Sequence, residues 1–201
     1  MLQNLILKGK NVTFDSLPSE YNIGDLSFTL LFATIKDKTE RKFDKNRDYI
    51  SLGLADKNNK LTNGGVLLSD QGPLNQSKVV CTRWNGLKKG SIKEDALDDK
   101  EYTGSLISLL ENADTFIKNN SKNSWRINGM DRVECEDYPI TARREAIVNA
   151  LIHRDYQILG SEIHIDMYDD RLEIISPGGM IDGTQIQNLE IGKVPSMRRN
   201  T

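Results

Sequence analysis

The stretch between Pro139 and Tyr156 restricts the fold more than any other part of the chain. Pro139 suits the first turn of a helix, where its missing N–H has no intrahelical bond to lose, and the helix is expected to run to about His153. Ala146, Ile147, Val148, Ala150, Leu151 and Ile152 make most of its circumference apolar. Such a helix calls for burial against other elements. Glu145, Asn149 and His153 stand at i, i+4 and i+8 and form one polar stripe. Burying that stripe unpaired would cost about 1–3 kcal/mol per group. It therefore faces solvent, bonds a neighbouring loop, or lines a pocket. In a pocket the carboxylate could polarise a water, and the amide oxygen could ligate a hard cation beside phosphates. Spacing alone leaves all three open.

Partners for this helix can be read elsewhere in the chain. From Gly104 to Ile117, the positions of Leu106, Leu109, Leu110, Ala113 and Ile117 predict a second amphipathic helix, ended by the polar cluster Asn119–Asn123. Glu162–Tyr168 and Arg171–Ile175 each alternate, with Asp169 and Asp170 between them, and outline a β-hairpin. Gly65–Leu68 and Ser77–Thr82 are further short β candidates. Earlier in the chain, Leu5–Leu7 suggests a short strand or turn, and Leu17–Pro18–Ser19 a turn. Asp25 is placed to cap a helix from Leu26 to about Ile35, followed by a polar run from Lys36 to Asp48. Asn58–Lys60 and Asn63–Gly65 read as turns. Together these predict an α/β fold, an α+β two-layer sandwich. Residues 1–60 form a small, mostly helical connector, and residues 61–201 form the main module.

Charge is close to balanced, 27 basic against 29 acidic residues for a net −2. That argues against a wholly basic nucleic-acid grip. Two cysteines, Cys81 and Cys135, do not make a disulfide scaffold. With no export signal in the first residues and no long apolar run, a soluble cytoplasmic protein without a membrane partner is expected. Several motifs fail on inspection. His153–Arg154–Asp155 mimics the kinase catalytic tripeptide, but the position for its asparagine is Gly160. No phosphate-binding P-loop motif occurs. Two histidines and two scattered cysteines argue against zinc, and His164 and Asp166 read as polar surface on one strand face. Trp84, in a basic stretch, could stack on a base, but a strand-end tryptophan is more often core. Ser176–Pro177–Gly178–Gly179, directly after a strand, is either an ordinary turn or a place where backbone approaches a ligand.

The run Arg144–Tyr156 resembles a known family, the RecG-related, divergent-AAA group of transcriptional regulators often labelled ATP-dependent DNA helicase-like. Leu61–Leu68, Cys81–Gly86, Tyr168–Ile174, Ser176–Gly179 and Arg198–Asn200 support the likeness in order. The resemblance implies a GHKL-like (Bergerat) module, a mixed sheet with helices on one face, that binds ATP and Mg²⁺. By that likeness Glu145 would be the base-like catalytic carboxylate and Asn149 the Mg²⁺ ligand. His153, Ser176, Gly178 and Gly179 would complete the nucleotide site. Ser176 stands where the superfamily carries an aspartate that reads the adenine amino group. The glycine-rich lid is expected beyond Thr201. A Schlafen/AlbA-type DNA-binding domain is expected before this region, so DNA would be met by a domain outside this chain. The resemblance therefore implies a nucleotide-binding regulatory module with weak ATPase activity at most, and no helicase motor. The alternative is an interaction or dimerisation module that kept the fold and lost the ligand. Homo-oligomerisation is left open.

Overall fold

Two apolar stretches far apart in sequence pair at the centre of the fold. In the computed structural model, which describes residues 13–39, 45–122, 124–128 and 131–178, β3 (Lys78–Trp84) and β7 (Ile163–Met167) run parallel. Val79 lies opposite Ile163, and Arg83 opposite Met167. Each strand has one antiparallel neighbour, β4 (Ala96–Thr103) on β3 and β8 (Leu172–Ile175) on β7. The result is a mixed four-stranded sheet of order β4-β3-β7-β8. A parallel pair needs a long crossover. Here it contains β4, helix α5 (Leu106–Asn120), the hairpin β5 (Ser124–Asn128) with β6 (Asp131–Cys135), and helix α6 (Ile140–Ile152).

Period-two and helical burial meet in one core. Val79, Cys81, Ile163, Ile165 and Met167 point from the sheet to one face. Leu109, Ala113, Phe116 and Ile117 of α5 cover them, together with Ile147, Ala150 and Leu151 of α6. This is the expected two-layer arrangement. The two helices are also clasped to each other: Arg143 is buried, its Nε 2.5 Å from Asp114 Oδ1, while Arg144 Nη1 lies 3.1 Å from Asp114 Oδ2.

A second, smaller core gathers Phe28, Tyr49, Leu54, Ala55, Leu61 and Val66. Around it lie a 3-10 turn (Phe14–Ser16), β1 (Pro18–Asn22) paired with β2 (Lys60–Thr62), and helices α1 (Thr29–Thr39), α2 (Lys45–Ser51) and α3 (Asn63–Leu68). A short helix, α4 (Ile92–Asp95), precedes β4.

Four sequence readings need correction. Gly65–Leu68 is not a strand but most of α3, whose first turn also replaces the turn expected at Asn63–Gly65. Thr62 Oγ1 caps it by accepting from the Gly65 N–H at 3.0 Å. Asp25 does not cap a helix, since its carboxylate accepts from the Asn22 N–H instead. The cap of α1 comes from Asp70, which accepts from the N–H groups of Thr29 (2.7 Å) and Leu30 (3.1 Å) and from the Ser27 hydroxyl. Third, α6 buries only one face, through Arg143, Ile147, Ala150 and Leu151, and Ile152 is 63% exposed. Fourth, Asp166 is not surface: it is 2% exposed and accepts from Trp84 Nε1 at 2.7 Å, with Lys89 Nζ at 3.2 Å. Leu5–Leu7 lies outside the described residues. No helix among the described residues is long and apolar enough to cross a membrane.

Candidate functional site

The last turn of α6 and the turn after β8 meet at one end of the helical layer. The contact is polar on both sides. Ser176 Oγ donates to the Ala150 carbonyl at 2.8 Å. The Asp155 N–H donates to the Pro177 carbonyl, also at 2.8 Å. Carbonyls of a helix's last turn have no partner within the helix. Ser176 supplies one for Ala150, and the His153 N–H closes the helix on the Asn149 carbonyl at 3.0 Å. Gly178 has φ +150°, and a Cβ there would meet the Asp155 nitrogen at 3.4 Å and the His153 carbonyl at 3.6 Å. This is a backbone conformation that favours glycine, in a place where chain meets chain.

The structure thus brings Asn149, His153, Ser176 and Gly178 to one junction. Asn149 is half-buried, and His153 is exposed. Glu145 stands one helical turn before Asn149 and is exposed, so the stripe is open to water at both ends and partly covered at its centre. Gly179 lies outside the described residues. Among the described residues, no group of three or more His, Cys, Asp or Glu is arranged to hold a metal ion. An oxygen site built on Asn149 would have to complete its shell from phosphates and water.

The loop that joins α6 to β7 contributes residues that sequence reading passed over. Arg154 is 4% exposed and Tyr156 is 7% exposed. The Tyr156 hydroxyl donates to the Leu151 carbonyl at 2.8 Å, and burial pushes its pKa up to about 12. It stays a neutral donor at any physiological pH. The signal for Arg154 was present in the sequence, because a cation directly after a helix is favoured by the helix's negative end.

The remaining candidates lie away from this junction, two of them in the core. Trp84 is 1% exposed, which matches the core reading and not base stacking. His164 lies 3.6 Å from Glu162 Oε1 at the sheet surface. Cys81 is buried between sheet and helices, which pushes its thiol up to about 12.

Two helices thus lie on one face of a mixed sheet, with a glycine turn against the end of the second. Residues 160–201 match the family model described as "Putative ATP-dependent DNA helicase recG C-terminal". The matched stretch takes in β7, β8 and the Ser176–Gly178 turn, so the RecG-related resemblance holds over the part of the chain that carries one wall of the junction. Among solved structures, the DIP2311 protein from Corynebacterium diphtheriae is similar, with a TM-score of 0.71 and 19% sequence identity. The likeness covers 89% of this chain and 36% of that one. At that identity it is a likeness of fold, and this chain spans 36% of the solved chain's length. No curated protein matches the chain.

Proposed function

We propose that the junction of α6 with the Ser176–Gly178 turn binds MgATP. The chain would then act as the nucleotide-binding regulatory module of a DNA-associated protein that meets DNA through a domain outside this chain. The observation that carries the reading is the Ser176–Ala150 hydrogen bond. It holds a glycine turn of an ATPase-like family against a helix whose adjoining residue, Asn149, offers an amide oxygen.

The residues fit the group in three respects. Asn149 supplies a neutral hard oxygen suited to Mg²⁺. Ser176 donates its only hydroxyl proton to Ala150, which leaves the lone pairs of its oxygen to accept from the adenine amino group. In that role serine replaces the expected aspartate as an acceptor, though as a weaker, uncharged one. Gly178 takes φ +150°, a conformation that residues with a side chain rarely adopt, and so lets the turn follow the helix end. Bound Mg²⁺ would neutralise phosphate charge. Glu145, one turn away on the same face, would orient a water as the base-like carboxylate, and exposed His153 would lie beside the phosphates. Because Glu145 is open to solvent, nothing excludes bulk water around it, and turnover should be very slow.

Calorimetric titration with ATP, with and without Mg²⁺, tests this. Binding should require Mg²⁺ and be weak, tens of micromolar or above, or about 6 kcal/mol at most. Asn149→Ala should abolish it with the thermal midpoint unchanged. Binding indifferent to both Mg²⁺ and Asn149 would overturn the assignment.

A second reading, an interaction or dimerisation module, draws on a different observation. Ile152, Leu159 and Ile175 are 63%, 73% and 53% exposed, and large exposed apolar side chains mark surfaces that other chains cover. Absence of any nucleotide heat, together with concentration-dependent sedimentation, would favour it.

A further inference from the structure

We infer that Arg154 is a positioning residue that sets the Ser176–Gly178 turn against the end of α6, and this inference rests on the nucleotide reading above for its consequence in binding. Arg154 is almost fully buried at 4% exposure; the Asp155 and Glu162 carboxylates are near enough to favour its charge, but neither makes a direct ion pair with it. Its guanidinium is held by main-chain carbonyls instead. Nη1 donates to Asp155 at 3.1 Å, and Nη2 donates to Ile158 at 3.2 Å and to Ser161 at 2.5 Å. The plane lies over the Tyr156 ring, 4.8 Å from its centroid. Nε has no acceptor among the described residues.

A buried cation held by no direct ion pair is costly, and an apolar side chain of similar volume would fill the space more cheaply. What only a guanidinium can do here is reach three carbonyls of one loop at once through a rigid fork. That fixes the course of residues 154–161. The same loop is anchored to the helix by the Tyr156 hydroxyl on Leu151, and internally by the Gln157 N–H on Asp155 Oδ1 and the Ile158 N–H on the Asp155 carbonyl. Tyr156 of this loop also meets Phe14 and Gln76, but toward the turn the loop presents the Asp155 N–H, which holds the Pro177 carbonyl. Gly178 follows and lies against that same nitrogen. Arg154 thus acts on the turn through the loop, touching neither the turn nor a ligand.

The test uses the whole chain with Arg154→Lys, which keeps the charge and loses the fork, and Arg154→Met, which keeps the stem alone. Amide hydrogen exchange reads the turn directly, and MgATP titration reads the site. In Arg154→Lys, protection of the Asp155 amide should fall about tenfold, the size of one lost charge-assisted hydrogen bond. The Cys81 and Ile165 amides at the sheet centre should keep theirs, and the MgATP dissociation constant should rise by about the same factor. An equal loss of protection at all three amides, or no loss at Asp155, overturns the positioning role and leaves ordinary packing. A wild-type chain that binds no MgATP, while Asp155 still responds, overturns the nucleotide reading and leaves the positioning role standing. If neither variant folds, the wild type decides. An Asp155 amide that exchanges as fast as that of exposed Leu159 shows that the loop holds nothing in place.

Discussion

A Cβ placed on Gly65 would stand 2.2 Å from the carbonyl oxygen of Leu54 and 3.1 Å from its Cα. Both are backbone atoms, so nothing can swing aside. The same residue donates its N–H to the Thr62 cap, and Leu54 accepts from the Thr62 N–H at 2.9 Å. Any added atom therefore pushes α3 away from the Leu54 backbone. Gly65→Ala should lower stability by about 1–3 kcal/mol, the usual cost of overpacking a filled site. Gly86→Ala makes a useful contrast: a Cβ there meets nothing within 4 Å, but φ is +96°, so its cost comes from backbone strain alone. Urea unfolding of both variants checks the argument. A neutral Gly65→Ala would mean that the α3–Leu54 contact is looser than drawn. The pair also explains why Gly64–Gly65 reads as a turn in sequence. Adjacent glycines signal conformational freedom, while close approach to a partner 11 residues away in sequence leaves no local mark.

Among the elements, those with long periodic patterns were legible and those with borrowed ends were not. Helix α5 and the β7–β8 hairpin each repeat a pattern long enough to separate a period of 3.6 from one of 2. α3 has six residues, too few for that distinction, and its apolar run passes equally for a strand. α1 was placed too early because its cap is distant in sequence: Asp25 is a plausible cap nearby, but Asp70 holds the helix start. That long-range cap has a pH consequence. Burial alone would push the Asp70 carboxyl up, but hydrogen bonds from the Ser27 hydroxyl and from the Leu30 and Thr29 amides outweigh it and hold the pKa below its ordinary 3.8. A lowered folded-state pKa stabilises the fold above the unfolded value, and the contribution fades as pH falls through the folded one. In thermal unfolding, the wild type should therefore be more stable than Asp70→Ala at neutral pH by an amount typical of a cap, about 0.5–2 kcal/mol. The gap should shrink only below about pH 4. A gap that stays constant from pH 7 to pH 3 would show that Asp70 acts by packing and not as a charged acceptor.

For the molecule as a whole, residue types in the sequence single out the helix stripe and the turn that meet at the junction, but not the loop that backs them. The polar stripe of α6 and the Ser176–Gly179 turn were singled out from residue types, and the structure brings Asn149, His153, Ser176 and Gly178 together. The loop that joins them is held by Arg154 on main-chain carbonyls, and carbonyls have no letter in a sequence. The same scale decides what the chain does with DNA. Its 27 basic and 29 acidic residues leave a net charge of −2. Several basic groups are already engaged: Arg83 lies 2.5 Å from Asp169, Arg143 2.5 Å from Asp114, and Arg171 2.6 Å from Glu173. Affinity for a duplex comes chiefly from free cations that displace counter-ions along the phosphates, and each paired arginine is withdrawn from that role. This chain alone should therefore bind duplex DNA no more tightly than the nonspecific range of about 10⁻⁴ to 10⁻⁶ M at physiological salt. Fluorescence anisotropy with a labelled duplex across a salt series reads this directly. Weak binding with a shallow salt slope fits a module whose DNA contact is made elsewhere. Tight binding that survives high salt would move that contact into this chain, and with it the regulatory role proposed for the nucleotide junction.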